Sequence, residues 1–389
     1  MNYLDFNKFD DKILQAEVLS QYLKTKKSKE YYVLKLKAEN SVTFYTTASK
    51  HIRDLQSRTI RVQIFLPNLT FREYLRGFYT RSNILNVYPA KTFKSKVAQK
   101  IISQHKNIEL QSIFSALFLA TPIQNYTRQK LSSLGVSHLL AISGFHLTLL
   151  GGILFFLLKF PYQFFQNRYL PYRNISLDLF LMVAILLFTY VAFLDYTPSL
   201  LRSFAMLIVG FILYDRGYKV ISIQTLLLTI LLLLALFPLL VFSIGFWLSV
   251  AGVFYIFLFL KQYENMNKYL MFFTLPTFVY FSMLPISLFL FSIFSHTQIF
   301  SILYTIGFTI FYPLELLLHI LNIGGALDSF VIHLLNSSSE LYRVSINNYF
   351  IYFYILISAL AIRYKYFFYI LTLLSLATFV FSYTKLSLI

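Results

Sequence analysis

From about residue 110 onward the chain is a succession of apolar blocks joined by short polar links, and before that point charged residues interrupt every apolar run. A helix needs roughly 20 apolar residues to cross the ~30 Å hydrocarbon core. By that measure membrane-spanning helices are expected near 138–159, 176–194, 199–214, 220–237, 244–260, 268–292, 298–321, 347–362 and 366–383, about nine in all. Pro276 and Pro285 could break the sixth. The stretch 108–120 is apolar but covers only about 20 Å as a helix. It reads as an interfacial or re-entrant amphipathic helix ended by Pro122.

The N-terminal part has a different period. Residues 11–20, 30–37, 41–47 and 58–66 are rich in β-branched and aromatic side chains and read as short strands. Glu39-Asn40 suits a tight turn, and 24–29 (KTKKSK) reads as an exposed loop. Several short strands in so little chain point to a small β-barrel, an OB-like barrel being one arrangement. From Lys91 to Lys106 the pattern turns helical and basic. The expected division is a basic β-domain over 1–90, a helical connector over 91–135, a membrane domain over 136–345, and terminal spans over 346–389.

Composition supports this picture. The 389 residues are 57% hydrophobic and 13% charged, against roughly 25% charged in an ordinary soluble domain. A soluble globular fold and intrinsic disorder are both excluded; the fold class is a polytopic α-helical membrane protein with an N-terminal β-rich soluble domain. There are no cysteines, which excludes disulfides, thiolate metal sites and cysteine nucleophiles. The formal net charge is +18, and residues 1–106 hold twenty of the 34 Lys and Arg but only eight of the 16 acidic residues. A basic soluble part attracts polyanions such as nucleic acid or acidic lipid. Tyr31, Tyr32, Phe44 and Tyr45 beside Lys35, Lys37 and Lys50 have the composition of a groove that stacks bases and neutralises phosphates. The same composition also fits barrel filling by the aromatics and a solvated lysine face.

The links between spans carry an alternating charge. Lys159, Arg168 and Arg173 follow the first span, Arg216 and Lys219 the third, and Lys261 and Lys268 the fifth, whereas the even-numbered ends lack basic residues. Positive links stay inside. That places 160–173 in the cytoplasm and the basic N-terminal domain outside, although Arg363 and Lys365 count against the scheme. Polar side chains in apolar segments are costly and mark pathways. His138, Ser143, His146, Arg202, Ser249, Glu315 and His319 are such residues, and Glu315 and His319 are one helical turn apart. No phosphate-binding loop, HExxH pair or serine-hydrolase elbow occurs, so no catalytic residue, metal or cofactor is expected.

The run Leu134-Gly135-Val136-Ser137-His138-Leu139-Leu140-Ala141-Ile142-Ser143-Gly144-Phe145-His146-Leu147 resembles the signature of the ComEC family, the inner-membrane DNA-uptake channels of natural competence. Pro198-Ser199-Leu200-Leu201-Arg202-Ser203 resembles a later family element. Pro238 with Gly245-Phe246-Trp247-Leu248-Ser249 resembles another, with Trp247 where glutamine is usual. The resemblance covers roughly 110–330, and more weakly the β-rich part resembles the family's OB-like extracytoplasmic domain. It implies a channel that passes one DNA strand across the cytoplasmic membrane. In that reading Ser143-Gly144 allows a helix break or close helix approach, His138 and His146 donate to phosphate, and Arg202 is the best lining cation. The implied partners are single-stranded DNA, membrane lipids, a periplasmic DNA receptor, a cytoplasmic DNA-binding protein or ATPase, and further copies of the chain. The HxHxDH-like cluster of the family's metallo-β-lactamase-like domain is missing, so nuclease activity is not implied. Two alternatives stand beside the channel: a membrane enzyme acting on a lipid-linked polyanion, and a scaffold of the competence machinery. The lack of a long outer loop beyond residue 140 disfavours the enzyme. The first thirty residues contain no signal-peptide core. An outside β-domain therefore predicts a start upstream of Met1, and the other solution is an inverted topology.

Overall fold

The computed structural model describes residues 11–26, 29–38, 42–49, 52, 55, 58–65, 77–88, 93–121, 123–169, 171–217 and 220–387. Lys50, Pro122, Lys219 and the Glu39-Asn40 turn lie outside them. The chain divides into two compact units, one of Met1–Gln129 with Leu317–His333, the other of Lys130–Leu316 with Leu334–Ile389.

The first unit begins with β1 (Asp11–Lys26), β2 (Lys29–Ala38), β3 (Thr43–Ser49), β4 (Thr59–Phe65), β5 (Phe78–Tyr79) and β6 (Arg81–Val87). Strands β1 and β2 run on through Lys24–Lys26 and Lys29, where the basic hexapeptide suggested a loop. The sheet order is β5-β3-β2-β1-β4-β6. Its two edge strands are halves of one segment interrupted only at Thr80, so the sheet closes on itself. Thr80 joins the halves: its N–H donates to the Tyr45 carbonyl of β3 at 2.9 Å, and its hydroxyl donates to the Phe65 carbonyl of β4. Period-two alternation aims Ile60, Val62 and Ile64 of β4 inward with Leu34, Leu36 and Phe44, filling the barrel. A bulge between Val18 and Ser20 lets the long β1 serve both β2 and β4. Helices α1 (Phe93–Ile102) and α2 (Ile108–Leu119) follow. Helix α2 is buried over most of its circumference, from Leu110 through Leu119, instead of presenting one apolar face. It ends in a left-handed Ala120, before Pro122.

The second unit is helical. It runs from α3 (Asn125–Ser133), which begins in the first unit, through α4 (Ser137–Leu140), α5 (Gly144–Tyr169), α6 (Ile175–Phe193), α7 (Pro198–Asp215), α8 (Ile223–Leu236), α9 (Ile244–Gln262) and α10 (Lys268–Phe291). A two-residue strand pair, β7 (Ile293–Phe294) with β8 (Tyr342–Arg343), flanks α11 (Ser301–Ile320) and α12 (Asp328–Asn336), of which Leu317–Ile320 and Asp328–His333 belong to the first unit; α13 (Asn348–Leu360) and α14 (Lys365–Ser387) complete the second. Among the described residues six helices are long and apolar enough to cross a membrane: α5, α6, α9, α10, α11 with its preceding turn, and α14. The other three expected spans exist as helices but are shorter or more polar. Helices α8 and α13 have 14 and 13 residues, about 20 Å of rise, and α7 carries Arg202 and Asp215. The expected first span is displaced, because 137–140 is a separate turn of helix and the long helix starts only at Gly144. Helix α10 continues unbroken through Pro276 and Pro285. Helices α9, α10, α13 and α14 share one aromatic core around Tyr255, Phe278, Tyr354 and Phe368, so 346–389 belongs to the same unit.

Candidate functional site

The break between α4 and α5 is built by its own sequence. The Ser143 N–H donates to His146 Nδ1 at 3.1 Å, and the Ser143 hydroxyl lies at the same distance. This is the return half of a capping box, with histidine in place of glutamate. An obligate donor on Nδ1 leaves the hydrogen of the neutral ring on Nε2. The ring is 1% exposed and wedged against Phe308 and Tyr312 of α11. His146 thus fixes the start of α5. His138 is held at the surface of the unit by the Gly135 carbonyl at 2.9 Å and by Thr305 at 3.3 Å. Gly135 has φ +71°, and a Cβ there would meet Ser301 Cβ at 2.9 Å, so the motif needs glycine on two counts.

Gly144 meets α7 even more closely. A Cβ at 144 would overlap the Ser203 hydroxyl and approach Arg202 Nη2 to 3.2 Å. Arg202 is 4% exposed. Its Nε donates to Ser249 Oγ of α9 at 2.9 Å, Nη2 to Ser203 Oγ at 3.0 Å, and Nη1 contacts Met206 Sδ at 3.0 Å. Ser203 in turn donates to the Ser199 carbonyl at 2.8 Å, and Ser199 donates to the Ile142 carbonyl at 2.6 Å. Three segments far apart in sequence, 142–146, 198–206 and 245–249, therefore converge on one guanidinium. No carboxylate pairs with it among the described residues. Of its five N–H groups three are used, and one on each terminal nitrogen remains for another acceptor.

Sequence reasoning selected Ser143, Gly144, His146, Arg202 and Ser249, and the structure brings these five together. Ser199, Ser203 and Met206 were missed; their spacing from Arg202 on one helix was the available signal. Glu315 is fully buried on α11 in the second unit. His319, one turn further on, belongs to the first unit, where it meets His105.

On the barrel, Lys35 of β2 faces Tyr45 of β3 across the ladder, with its ammonium 5.9 Å from the ring centroid. Lys37 and Tyr31 share that strand face by alternation, whereas Tyr32 is on the opposite, core-side face. Phe44 is a correction to the expected stacking surface. Its side chain is fully buried and stacks on Phe78 at 5.8 Å, so no base can reach it.

Residues 121–386 match the family model described as Competence protein. The chain belongs to that family of ComEC-like competence proteins. No curated protein and no solved structure matches the chain. Membership supports a part in competence and DNA uptake, and the six apolar helices support a multi-pass membrane location.

Proposed function

We propose that this protein conducts single-stranded DNA across the cytoplasmic membrane during natural transformation, with Arg202 as a phosphate contact on the route. The observation that carries the reading is the buried guanidinium with no carboxylate partner among the described residues, fixed by Ser249, Ser203 and Met206 and retaining two N–H donors. A structural arginine at such depth is ordinarily neutralised by a carboxylate. One held by neutral acceptors alone has kept its charge for an anion that comes and goes, and phosphate accepts two parallel N–H bonds. The barrel fits the same route. Its strand order, with β5 and β6 counted as one interrupted strand, supports an OB-type barrel, and the Lys35–Tyr45 pair offers charge beside a ring. The alternating loop charges support a topology with the barrel outside and about nine spans, α7, α8 and α13 included. No catalytic step is part of the reading, and DNA delivery and pulling fall to partner proteins.

The test separates DNA reaching the outer face of the membrane from DNA reaching the cytoplasm. Arg202→Met, in a stably inserted protein, is expected to stop cytoplasmic entry of labelled DNA while leaving surface uptake intact. Arg202→Lys keeps the charge without the fork and is expected to retain part of the entry. Undiminished cytoplasmic entry in Arg202→Met would falsify the channel role of this site.

A further inference from the structure

Within the first unit, two segments more than two hundred residues apart are joined by two histidines. His105, between α1 and α2, is 3% exposed, and His319, near the end of α11, is 7% exposed. Their Nε2 atoms face each other at 2.9 Å. On its far side His105 Nδ1 lies 2.7 Å from Asp328 Oδ1 at the start of α12. The His105 ring is stacked on Phe114 at 4.3 Å, and Phe118 packs on His319 at 4.9 Å. Gln104 completes the joint: its amide nitrogen donates to the His319 carbonyl at 3.3 Å, and its amide oxygen accepts from the Gly324 N–H at 2.8 Å.

Proton counting on this chain gives a definite answer. With Asp328 ionised, His105 Nδ1–H donates to the carboxylate, so in a neutral ring Nε2 is an acceptor. His319 must then supply the hydrogen between the rings from its own Nε2. One added proton is accommodated: His105 becomes the cation, donating to Asp328 on one side and to His319 Nε2 on the other, while His319 shifts its hydrogen to Nδ1. A second added proton is not. Both Nε2 atoms then carry hydrogen, N–H opposes N–H at 2.9 Å, and two imidazolium charges confront each other against phenylalanine rings. The other charged neighbours do not relieve this. Lys106 and Glu109 flank His105 on its own segment, Lys100 of α1 offers Gln104 only its carbonyl, and His333 lies on α12 beyond Asp328. Glu315 lies one turn before His319 on α11.

We propose that His105 and His319 form a proton-operated latch, closed while the pair holds at most one extra proton and opened by the second. Closed, it ties the α1–α2 connection to the α11–α12 segment; acid releases that connection. The mechanism rests on this joint alone and is independent of what Arg202 contacts.

The cysteine-free chain allows a direct test in the full-length protein. Ser103→Cys and Ser329→Cys place nitroxide labels on two exposed serines, one on each side of the joint. Pulsed electron–electron resonance is expected to give one narrow distance at pH 7.5 and a longer, broader distribution at pH 5, reversibly. In His319→Gln the glutamine amide can still donate to His105 Nε2 but cannot become a cation, so the narrow distance is expected at both values. An unchanged wild-type distance at pH 5 overturns the proposal without any variant, and so does acid opening of equal size in His319→Gln. Loss of the narrow distance on chelation at pH 7.5, with recovery on added zinc, also overturns it by showing a metal between the rings.

Discussion

Gly144→Ala is the sharpest probe of the convergence on Arg202, because the structure shows which atoms must move. The new methyl would occupy the place of the Ser203 hydroxyl. If that hydroxyl rotates away, it gives up its bond to the Ser199 carbonyl and its bond from Arg202 Nη2. A neutral hydrogen bond contributes about 1 kcal/mol and one to a charged group about 1.5–3 kcal/mol, so the expected loss is about 2.5–4 kcal/mol. Ser203→Ala removes the same two bonds and is expected to cost a similar amount. The double variant then has nothing more to lose, and its destabilisation should match either single change, a coupling of about 2 kcal/mol or more. Equilibrium unfolding of the detergent-solubilised protein, followed by near-ultraviolet circular dichroism, measures all four corners of the cycle. Additive losses, within about 0.5 kcal/mol, would show that Gly144 and Ser203 do not compete for one space. Gly144→Leu adds bulk that no hydroxyl rotation can accommodate, and it is expected to abolish cytoplasmic DNA entry with membrane insertion intact.

The barrel supports two further predictions. Phe44→Ala empties a fully buried site and should destabilise the barrel by about 3–5 kcal/mol, whereas Tyr45→Ala, on the half-exposed face beside Lys35, should leave it folded; comparable melting of the two variants would contradict the assigned faces. Replacing Lys35 and Lys37 with Glu should weaken oligonucleotide binding by the full-length protein and flatten its dependence on salt, because each neutralised phosphate releases counterions; unaltered binding and slope would remove this face from the DNA contact.

Local pattern made much of the fold legible. Strand β4 was readable because Ile60, Val62 and Ile64 alternate with polar residues, and the long helices because their apolar runs exceed the bilayer thickness. The last barrel segment escaped notice because Arg81–Val87 mixes asparagine and serine with isoleucine and leucine, and its inward side is set by the partner strand. Helix α2 looked amphipathic at a distance, yet tertiary packing covers it on most sides. At the site, Arg202 stood out by the cost of a charge in an apolar run. Of its acceptors Ser249 was readable in the same way, but Ser203 and Met206 were not, and only the three-dimensional path brings Ser249 to the guanidinium. His105 gave no signal at all. Its meaning depends on His319 and Asp328, more than two hundred residues away, and no periodicity spans that distance.

Helix α10 carries a mechanical consequence. A proline contributes no N–H, so the carbonyl four residues earlier loses its helical donor. In α10 those carbonyls belong to Phe272 and Phe281. They are nine residues apart, about two and a half turns, and so the two gaps open on opposite sides of the rod. Two joints that yield in opposite senses make a crank: the stretch between them can swing sideways while the helix ends keep their directions. The joint at Pro285 is stiffened by Tyr354, whose hydroxyl donates to the adjacent Ser282 carbonyl at 2.8 Å. At Pro276 the matching bond comes from within the helix, Thr277 Oγ1 donating to the adjacent Phe273 carbonyl at 2.9 Å, so of the two joints it is the one at Pro285 that is tied to a neighbouring helix.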